Sequence, residues 1–501
     1  MAAGGSLLEE EAPLAESLAN RFDPATEVWA RLALKTRLQV LRRARVLIAQ
    51  RAESFADVIS SELERSRADT LVAEVLPLLA AIKYLERHAE RVLAGRRAGV
   101  SGRPMWLGRV TSEIERVPVG RVLVIAVSNY PLLLPGVQAV QALAAGNTVI
   151  WKPGRGGAMV AGMFARTLTE AGLPKDVLTV TDESVAAAYT AMDSGVDKLF
   201  FTGSATGGRE VMHHAADLAL PCVMEMSGAD AVIVLPSASI EYAVRAIGFG
   251  LRLNGSATCM APRRVLLVDA DADRRAALLE QMWREMRVTG PMRVPETQTR
   301  LAVELLDEAR AQGATVLGGE LNADGRFGPA LVLDGEATMR VAQTDVFAPV
   351  LTVIDVHGTA GVEAAQKACP LALTASIFGD VEEARALAKR LKVGHVSIND
   401  LVVPTADPRV PFAGRKQSGF GVTRGPEGLL EMTVPRVIAV RRGESARRYE
   451  RTGAAHVGLF AGLAALLYGG TVLVRMRGAK QTMVSARAVS QGSAMKNSGD
   501  A

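Results

Sequence analysis

Three side chains are of types that together could process a carbonyl compound. Cys259 stands in Asn254-Gly-Ser-Ala-Thr-Cys259-Met-Ala-Pro, a thiol among small residues. As a thiolate it would attack an electrophilic carbon, although a cysteine in such company also serves as a small buried hydrophobe. Glu225, in Val-Met-Glu225-Met-Ser-Gly, is a carboxylate between apolar residues at a strand end. Desolvation there would lift its pKa toward that of a general base; a helix cap or an arginine partner is the plainer role. Asn129 follows the run RVLVIAV in Ser-Asn129-Tyr-Pro and offers an amide for a developing oxyanion, or simply holds a turn.

The elements that would position them are α/β. RVLVIAV, NTVIW, DVLTV, KLFFTG and AVIVLP are short apolar runs separated by helix-length segments with glycine at the joins. Continuous rather than alternating hydrophobicity fits strands buried on both faces, and strand–helix alternation predicts a parallel, doubly wound sheet. In such sheets ligands bind beyond the carboxyl ends of the strands, where Asn129 falls. A second series (RVLLVD, GPALVL, APVLTVIDV, LTASIFG, HVSIND) predicts a second α/β domain. The expected boundaries are a cofactor-binding domain over 1–227, a catalytic domain over 228–418 and an oligomerisation strand region over 419–445. Residues of about 103–117 would form arm strands that pair with a neighbouring subunit.

Taken together, these stretches resemble the aldehyde dehydrogenase superfamily from about Val117 to Val440. PVGRVLVIAVSNYPLLLPGVQAVQALAAGNTVIWKP is similar to its cofactor strand, asparagine and ribose-binding lysine; FTGSATGG to its Gly-Ser-x-x-x-Gly turn; PFAGRKQSGFG to its late glycine-rich signature. The interval of 34 residues from Glu225 to Cys259 is that between the family's base and nucleophile. The resemblance implies an NAD- or NADP-dependent oxidation of an aldehyde. Cys259 would form a thiohemiacetal and then a thioester, Asn129 and the Cys259 N–H would hold the oxyanion, and Glu225 would activate water. It further implies that Lys152 meets the adenosine ribose, that Gly203, Ser204 and Gly208 bring small residues and a helix N-terminus to the pyrophosphate, and that Asp345 and Phe347 face the nicotinamide ribose and ring. At least a homodimer is expected.

The chain departs from the family pattern in several places. Lys152-Pro-Gly-Arg155 replaces Lys-Pro-Ser-Glu, removing the carboxylate that chelates the ribose diol in NAD-preferring members. Arg155 could instead meet the 2′-phosphate of NADP, which tilts the expectation toward NADP. Asp345 is one methylene shorter than the usual glutamate. Ser227 and Ala257 change residues of the usual Glu-Leu-Gly-Gly and Gly-Gln-x-Cys.

The bulk properties narrow the rest. A chain of 501 residues can bury a large site, and its three cysteines fit neither a disulfide framework nor a zinc spacing. No metal site is expected from the six histidines. The net charge of +5 belongs to the tail, since residues 441–501 hold ten Lys/Arg against three Asp/Glu, so no nucleic-acid footprint covers the body. The acidic opening MAAGGSLLEEEAPLAES does not read as a secretory signal, and a cytoplasmic catalytic body is expected.

Thr452–Val474 runs for 23 residues without Asp, Glu, Lys or Arg, enough for a membrane-spanning helix flanked by Arg447, Arg448 and Arg451 and by Arg475, Arg477 and Lys480. Docking on the protein, or lying at an interface, is the alternative. Residues 475–501 read as a disordered basic tail. An anchored enzyme would take a medium- or long-chain aldehyde. Two other functions compete: a CoA-acylating aldehyde dehydrogenase, and a catalytically silent, membrane-tethered scaffold. Glu225 speaks for water over CoA, and Asn129, Glu225 and Cys259 together speak against a scaffold.

Overall fold

The structure, a computed structural model, describes residues 24–104, 107–108, 110–443 and 452–497. The acidic opening segment and Arg447, Arg448 and Arg451 lie outside the described residues. The chain forms two compact units, one of residues 1–97 with 113–438 and one of residues 98–112 with 439–501.

The larger unit holds two sheets. β3 (Arg121–Ile125), β4 (Thr148–Lys152), β5 (Leu178–Val180), β6 (Lys198–Gly203) and β7 (Cys222–Met226) run parallel, and the short β15 (Gly419–Phe420) adds antiparallel to β7, in the order β15-β7-β6-β3-β4-β5. The second sheet contains β8 (Asp230–Val234), β9 (Pro262–Val268), β10 (Thr315–Gly318), β11 (Ala330–Leu333), β12 (Val350–Val356), β13 (Thr374–Phe378) and β14 (His395–Ile398), in the order β10-β11-β12-β9-β8-β13-β14. Only β10 is antiparallel to its neighbour there.

Both sheets are covered on both faces, which is why their strands read as unbroken apolar runs. In β3, Val122 and Val124 pack with Leu41, Ile82 and Val140 on one side, while Leu123 and Ile125 join Leu199, Val211 and Met224 on the other. In β9, Val265 and Leu267 face one core and Leu266 and Val268 the other. The helices α1 (Leu34–Gln50), α2 (Leu76–Val92) and α3 (Leu133–Ala145) supply the first of these cores. The run AVIVLP, read with the first strand series, is β8 and belongs to the second sheet. A third sheet has the order β1 (Arg96–Ala98), β2 (Val110–Pro118), β16 (Thr433–Arg441), the segments expected as arm strands.

The tail corrects two expectations. The uncharged stretch is not one helix: α5 (Ala454–Tyr468) has 15 residues and stops at Gly469-Gly470, and α6 (Val472–Asn497) begins behind Thr471, whose Oγ1 accepts from Val474 N at 3.3 Å. Arg475 Nε closes the turn on the Gly469 carbonyl at 2.7 Å. At about 1.5 Å per residue α5 reaches some 22 Å, short of the ~30 Å hydrocarbon layer. Among the described residues no helix is long and apolar enough to cross a membrane. Likewise the segment expected to be disordered is helical to Asn497; nothing there breaks a helix as the paired glycines do.

Candidate active site

Asn129, Glu225 and Cys259 are brought together by three separate devices. Asn129 sits just beyond the carboxyl end of β3 and is 7 % exposed. Glu225 lies within β7, opposite Gly419 of β15, and is 4 % exposed. Cys259 follows a tight loop in which Asn254, Gly255 and Ser256 all have φ between 54° and 66°, the left-handed region that costs a non-glycine residue about 1 kcal/mol or more. All three line one cavity of about 930 Å³, and Glu225 and Cys259 also line an adjoining apolar cavity of about 150 Å³.

The strained loop is held by a buried polar network that sequence reading did not identify. Arg65 donates to Glu74 Oε1 at 2.6 Å and to Asn254 Oδ1 at 2.7 Å. The other oxygen of Glu74 accepts from the N–H groups of Leu132 and Leu133, at the start of α3, where an anion suits the helix N-terminus. Asn254 Nδ2 in turn donates to the Asn129 carbonyl at 2.8 Å and to the Ala257 carbonyl at 3.0 Å. Arg263 binds the loop from the other side through the Ser256 carbonyl at 2.7 Å and Ser256 Oγ at 3.0 Å. Nucleophile loop and asparagine loop are thus fastened to each other and to the N-terminal helices. None of this is signalled by local spacing, because Arg65 and Asn254 are 189 residues apart.

Asn129 gives one amide N–H to the Ala257 carbonyl at 2.6 Å, which leaves the second for an incoming oxygen, while its own Oδ1 is buried with no donor. Glu225 Oε2 accepts from Thr423 Oγ1 at 2.8 Å, whereas Oε1 is buried with no partner. Burial raises the Glu225 pKa against the opposing pull of Arg424 and the Thr423 hydroxyl. The Cys259 thiol is pushed well above its ordinary range, first by desolvation and then by the carboxylates of Glu225, Asp345 and Asp230. The arrangement is a nucleophile that must lose its proton as it reacts, beside a buried base with one free oxygen.

The large cavity fits a dinucleotide in size and lining: it lies beyond the carboxyl ends of β3 and β6, and Ser128, Thr202, Gly203 and Ser204 present small polar groups to it. A Cβ on Gly203 would stand 2.6 Å from the Phe201 ring, which would have to shift to admit it. The Ser204 hydroxyl caps α4 (Ala205–Asp217) by accepting from Gly207 N at 3.1 Å, which leaves its O–H to donate, and Ser204 lines the cavity at the start of that helix. Gly208 is one step behind, buried on Met226 and Phe201 and off the wall.

Lys152 ends β4 and is 7 % exposed; it too stands behind the wall rather than on it, its pKa lowered by burial. Arg155 is exposed on the wall near Gly156 and Glu183. Glu183, unforeseen from sequence, accepts from Gly156 N at 2.9 Å and Ala158 N at 2.7 Å and so shapes the loop that carries Arg155.

Phe347 lines the same cavity, its N–H held by Gln298 Oε1 at 2.9 Å. Asp345 has a partner that sequence reading did not name. It borders the cavity, but its carboxylate is 3 % exposed and turned to Arg263 at 3.4 Å, with Ser227 and the Gly228 N–H alongside. Oδ1 is held by Arg263, which also binds the nucleophile loop, while Oδ2 is buried without a hydrogen-bond partner.

Among the described residues no group of three or more His, Cys, Asp or Glu could hold a metal ion, and Cys222, Cys259 and Cys369 are free.

Comparison with known proteins bears on this geometry. The model of the aldehyde dehydrogenase family matches residues 9–438. A 4,4'-diapolycopene aldehyde oxidase of Methylomonas sp is 30% identical over 423 residues, covering 82% of this chain and 78% of the relative. An NADP-dependent glyceraldehyde-3-phosphate dehydrogenase of Streptococcus equinus is 30% identical over 419 residues, covering 82% and 87%. Among solved structures, a Mycobacterium tuberculosis aldehyde dehydrogenase complexed with NAD+ superposes with a TM-score of 0.76 at 25% identity, over 87% of this chain and 90% of that one.

Proposed function

The chain belongs to the aldehyde dehydrogenase family, and on that premise we propose that it oxidises an aldehyde to the carboxylic acid with Cys259 as nucleophile, Asn129 as oxyanion donor and Glu225 as base. The observation that carries this reading is Glu225 and Cys259 on a wall shared by a large cavity of mixed lining and a small apolar one. The apolar cavity, walled by Val72, Phe249, Leu253, Met260, Val402 and Val403, takes the body of the aldehyde. Cys259 Sγ adds to the carbonyl carbon as its proton passes to solvent through the large cavity, and the oxygen gains charge against the second Asn129 N–H and the Cys259 N–H, donors typically worth about 3 kcal/mol of barrier each. The large cavity would hold a nicotinamide coenzyme, whose chemistry is to accept hydride, here the hydrogen of the tetrahedral adduct leaving with its electron pair as the C=O bond re-forms. The thioester left on Cys259 is then attacked by water, whose proton passes to Glu225 Oε1, and the thiolate departs as the acid forms.

Arg155, exposed on the cavity wall, would meet a 2′-phosphate; Lys152-Pro-Gly-Arg155 has no carboxylate of its own and Glu183 is spent on the Gly156 and Ala158 N–H groups, which supports NADP as the coenzyme. Reduced-coenzyme absorbance with NAD and NADP in parallel tests both statements. NADP should be preferred, and Arg155→Gln should lower kcat/KM for NADP by roughly 10-fold, the loss of one charge-assisted contact, while sparing NAD. A wild type that prefers NAD would remove the role given to Arg155; no reduction with any aldehyde would remove the enzyme.

We also propose that the α5–α6 hairpin lies in the surface of an anionic bilayer, as a peripheral device and not a span. Its two helices meet through small residues: a Cβ on Gly462 would stand 2.6 Å from Thr482 N, and one on Gly478 2.4 Å from Leu466 N. Phe460, Leu473, Met476, Met483 and Val484 point outward and are more than half exposed, an inside-out distribution. Thr452–Asn497 contains no acidic residue, and Arg475, Arg477, Lys480 and Arg487 supply charge for anionic headgroups. The full chain should float with vesicles containing phosphatidylglycerol and far less with phosphatidylcholine alone, and a chain ending at 443 should float with neither. Retention of flotation by the shortened chain would end this proposal. The homodimer expected through β2 and β16 is kept as a proposal too; Val434, Val437 and Ile438 on β16 are 46 %, 61 % and 40 % exposed.

A further inference from the structure

One hydrogen bond joins the two loops that carry the oxyanion donors, and the reaction described above makes no use of it. Tyr130, directly after Asn129, and Thr258, directly before Cys259, meet through their hydroxyls at 2.9 Å. Both are withdrawn from solvent: Tyr130 is 7 % exposed and Thr258 is wholly buried. Tyr130 lines the apolar cavity beside Cys259, with the Arg65 guanidinium 5.8 Å over its ring. The direction of the bond follows from its surroundings. Thr258 Oγ1 gives its one proton to the Leu253 carbonyl at 3.3 Å, so the phenol donates and the threonine oxygen accepts. Burial raises the Tyr130 pKa above the ordinary phenol range, so the group stays a donor and takes no proton from the thiol.

The bond acts on a peptide plane. The Cys259 N–H belongs to the planar unit that also holds the Thr258 carbonyl, so its direction is set by the torsions of Thr258. The Thr258 carbonyl accepts from Ala261 N at 2.9 Å, and the unit before it is held at the Ala257 carbonyl by Asn129 Nδ2 at 2.6 Å and Asn254 Nδ2 at 3.0 Å. The Thr258 side chain is the handle on the residue between these two planes, and Tyr130 and Leu253 hold it. A β-branched side chain is stiff about χ1, so fixing Oγ1 fixes the backbone that bears it. The loop needs such a hold, because Asn254, Gly255 and Ser256 just upstream are all left-handed.

We propose that Tyr130 is a positioning residue for the oxyanion: through Thr258 it aims the Cys259 N–H at the oxygen that Asn129 also meets, so that donors from two loops converge on one point. This rests on the reading of Cys259 as nucleophile and adds a residue that acts through its neighbour, not on the substrate. Packing alone does not account for the phenol, since a phenylalanine would fill the same apolar wall without burying a hydroxyl.

Tyr130→Phe removes the oxygen and keeps the ring. Its burst of reduced coenzyme and its steady turnover should both fall roughly 10–100-fold, with KM for the aldehyde little changed, because acylation and deacylation each pass through an oxyanion. Alkylation of Cys259 by iodoacetamide, a displacement at a saturated carbon that forms no oxyanion, should keep the wild-type rate. Thr258→Val should match Tyr130→Phe, the double variant should be no worse than either, and Thr258→Ser, which keeps the hydroxyl, should restore most of the rate. The threonine variants carry the test if Tyr130→Phe does not fold. A burst in Tyr130→Phe at the wild-type rate overturns the proposal. Alkylation slowed as much as the burst also overturns it and assigns the bond to the thiol, and so does a Thr258→Ser no faster than Thr258→Val. In each of these cases wild type still reduces coenzyme and the enzyme stands; a wild type that reduces none with any aldehyde removes the enzyme reading and this inference together.

Discussion

Cys259→Ala should abolish coenzyme reduction, by a factor on the order of 10⁴ or more, the scale on which loss of a covalent nucleophile is felt. Glu225→Gln should behave differently. With the Cys259 proton lost to solvent, thioester formation does not draw on Glu225, so the variant should release about one equivalent of reduced coenzyme per site and then stall, with steady turnover down by roughly 10²–10⁴-fold. Stopped-flow absorbance, with mass spectrometry of the acylated chain, separates the two. Turnover of Glu225→Gln restored by CoA, with wild type equally dependent on CoA, would mean that CoA is the acyl acceptor. Persistent activity in Cys259→Ala would remove the cysteine from the chemistry.

The pH profile follows from the same two groups. A base works in its deprotonated form, and burial raises the Glu225 pKa, so deacylation should fall away on the acid side at a pH above the ordinary carboxylate range. The Cys259 thiol is also raised, so the rate of the burst should keep climbing through neutral into alkaline pH with no plateau near pH 7. A burst rate flat across neutrality would show that the thiol is already ionised in the resting enzyme.

What the sequence disclosed and what it withheld divide along the range of the interactions. Strand runs such as RVLVIAV and RVLLVD announced themselves because both faces of each strand are buried, as the two cores on either side of β3 show. Asn129, Glu225 and Cys259 could be picked out because each stands next to an apolar run or a small-residue loop of recognisable spacing. The parts of the site made by distant pairs were silent: Arg65 on Asn254, Glu183 on the Gly156 loop, Thr423 and Arg424 on Glu225. Asp345 also meets Arg263, 82 residues away, a contact that its local motif did not announce. In the tail, hydropathy over 23 residues concealed that Gly469-Gly470 ends one helix and Thr471 starts another.

The Arg65–Glu74 pair is where the fold and the chemistry are most tightly joined, and its disruption should carry the largest cost in stability. Both side chains are almost wholly buried, at 4% and 0% exposure, and the pair ties several elements together: Glu74 fixes the start of α3, Arg65 fixes Asn254, and Asn254 fixes the Asn129 loop and the Cys259 loop. Glu74 lies in a π-helical turn over Leu71–Val75, an irregularity that aims its carboxylate at the Leu132 and Leu133 N–H groups. Removing one partner leaves the other charge buried alone, which costs about 3–5 kcal/mol. Glu74→Ala should therefore lose roughly that much in denaturant unfolding and, even where folded, should lose coenzyme reduction, because the Asn254 side of the left-handed loop before Cys259 loses its brace and only the Arg263 contacts to Ser256 remain. Arg65→Met with Glu74→Leu, which removes both charges, should recover most of the stability and little of the activity, since an apolar pair cannot hold Asn254 Oδ1. If the double variant recovers both, the network is a stabilising device with no part in placing the nucleophile; if Glu74→Ala is as stable as wild type, the buried pair does not brace the fold at all.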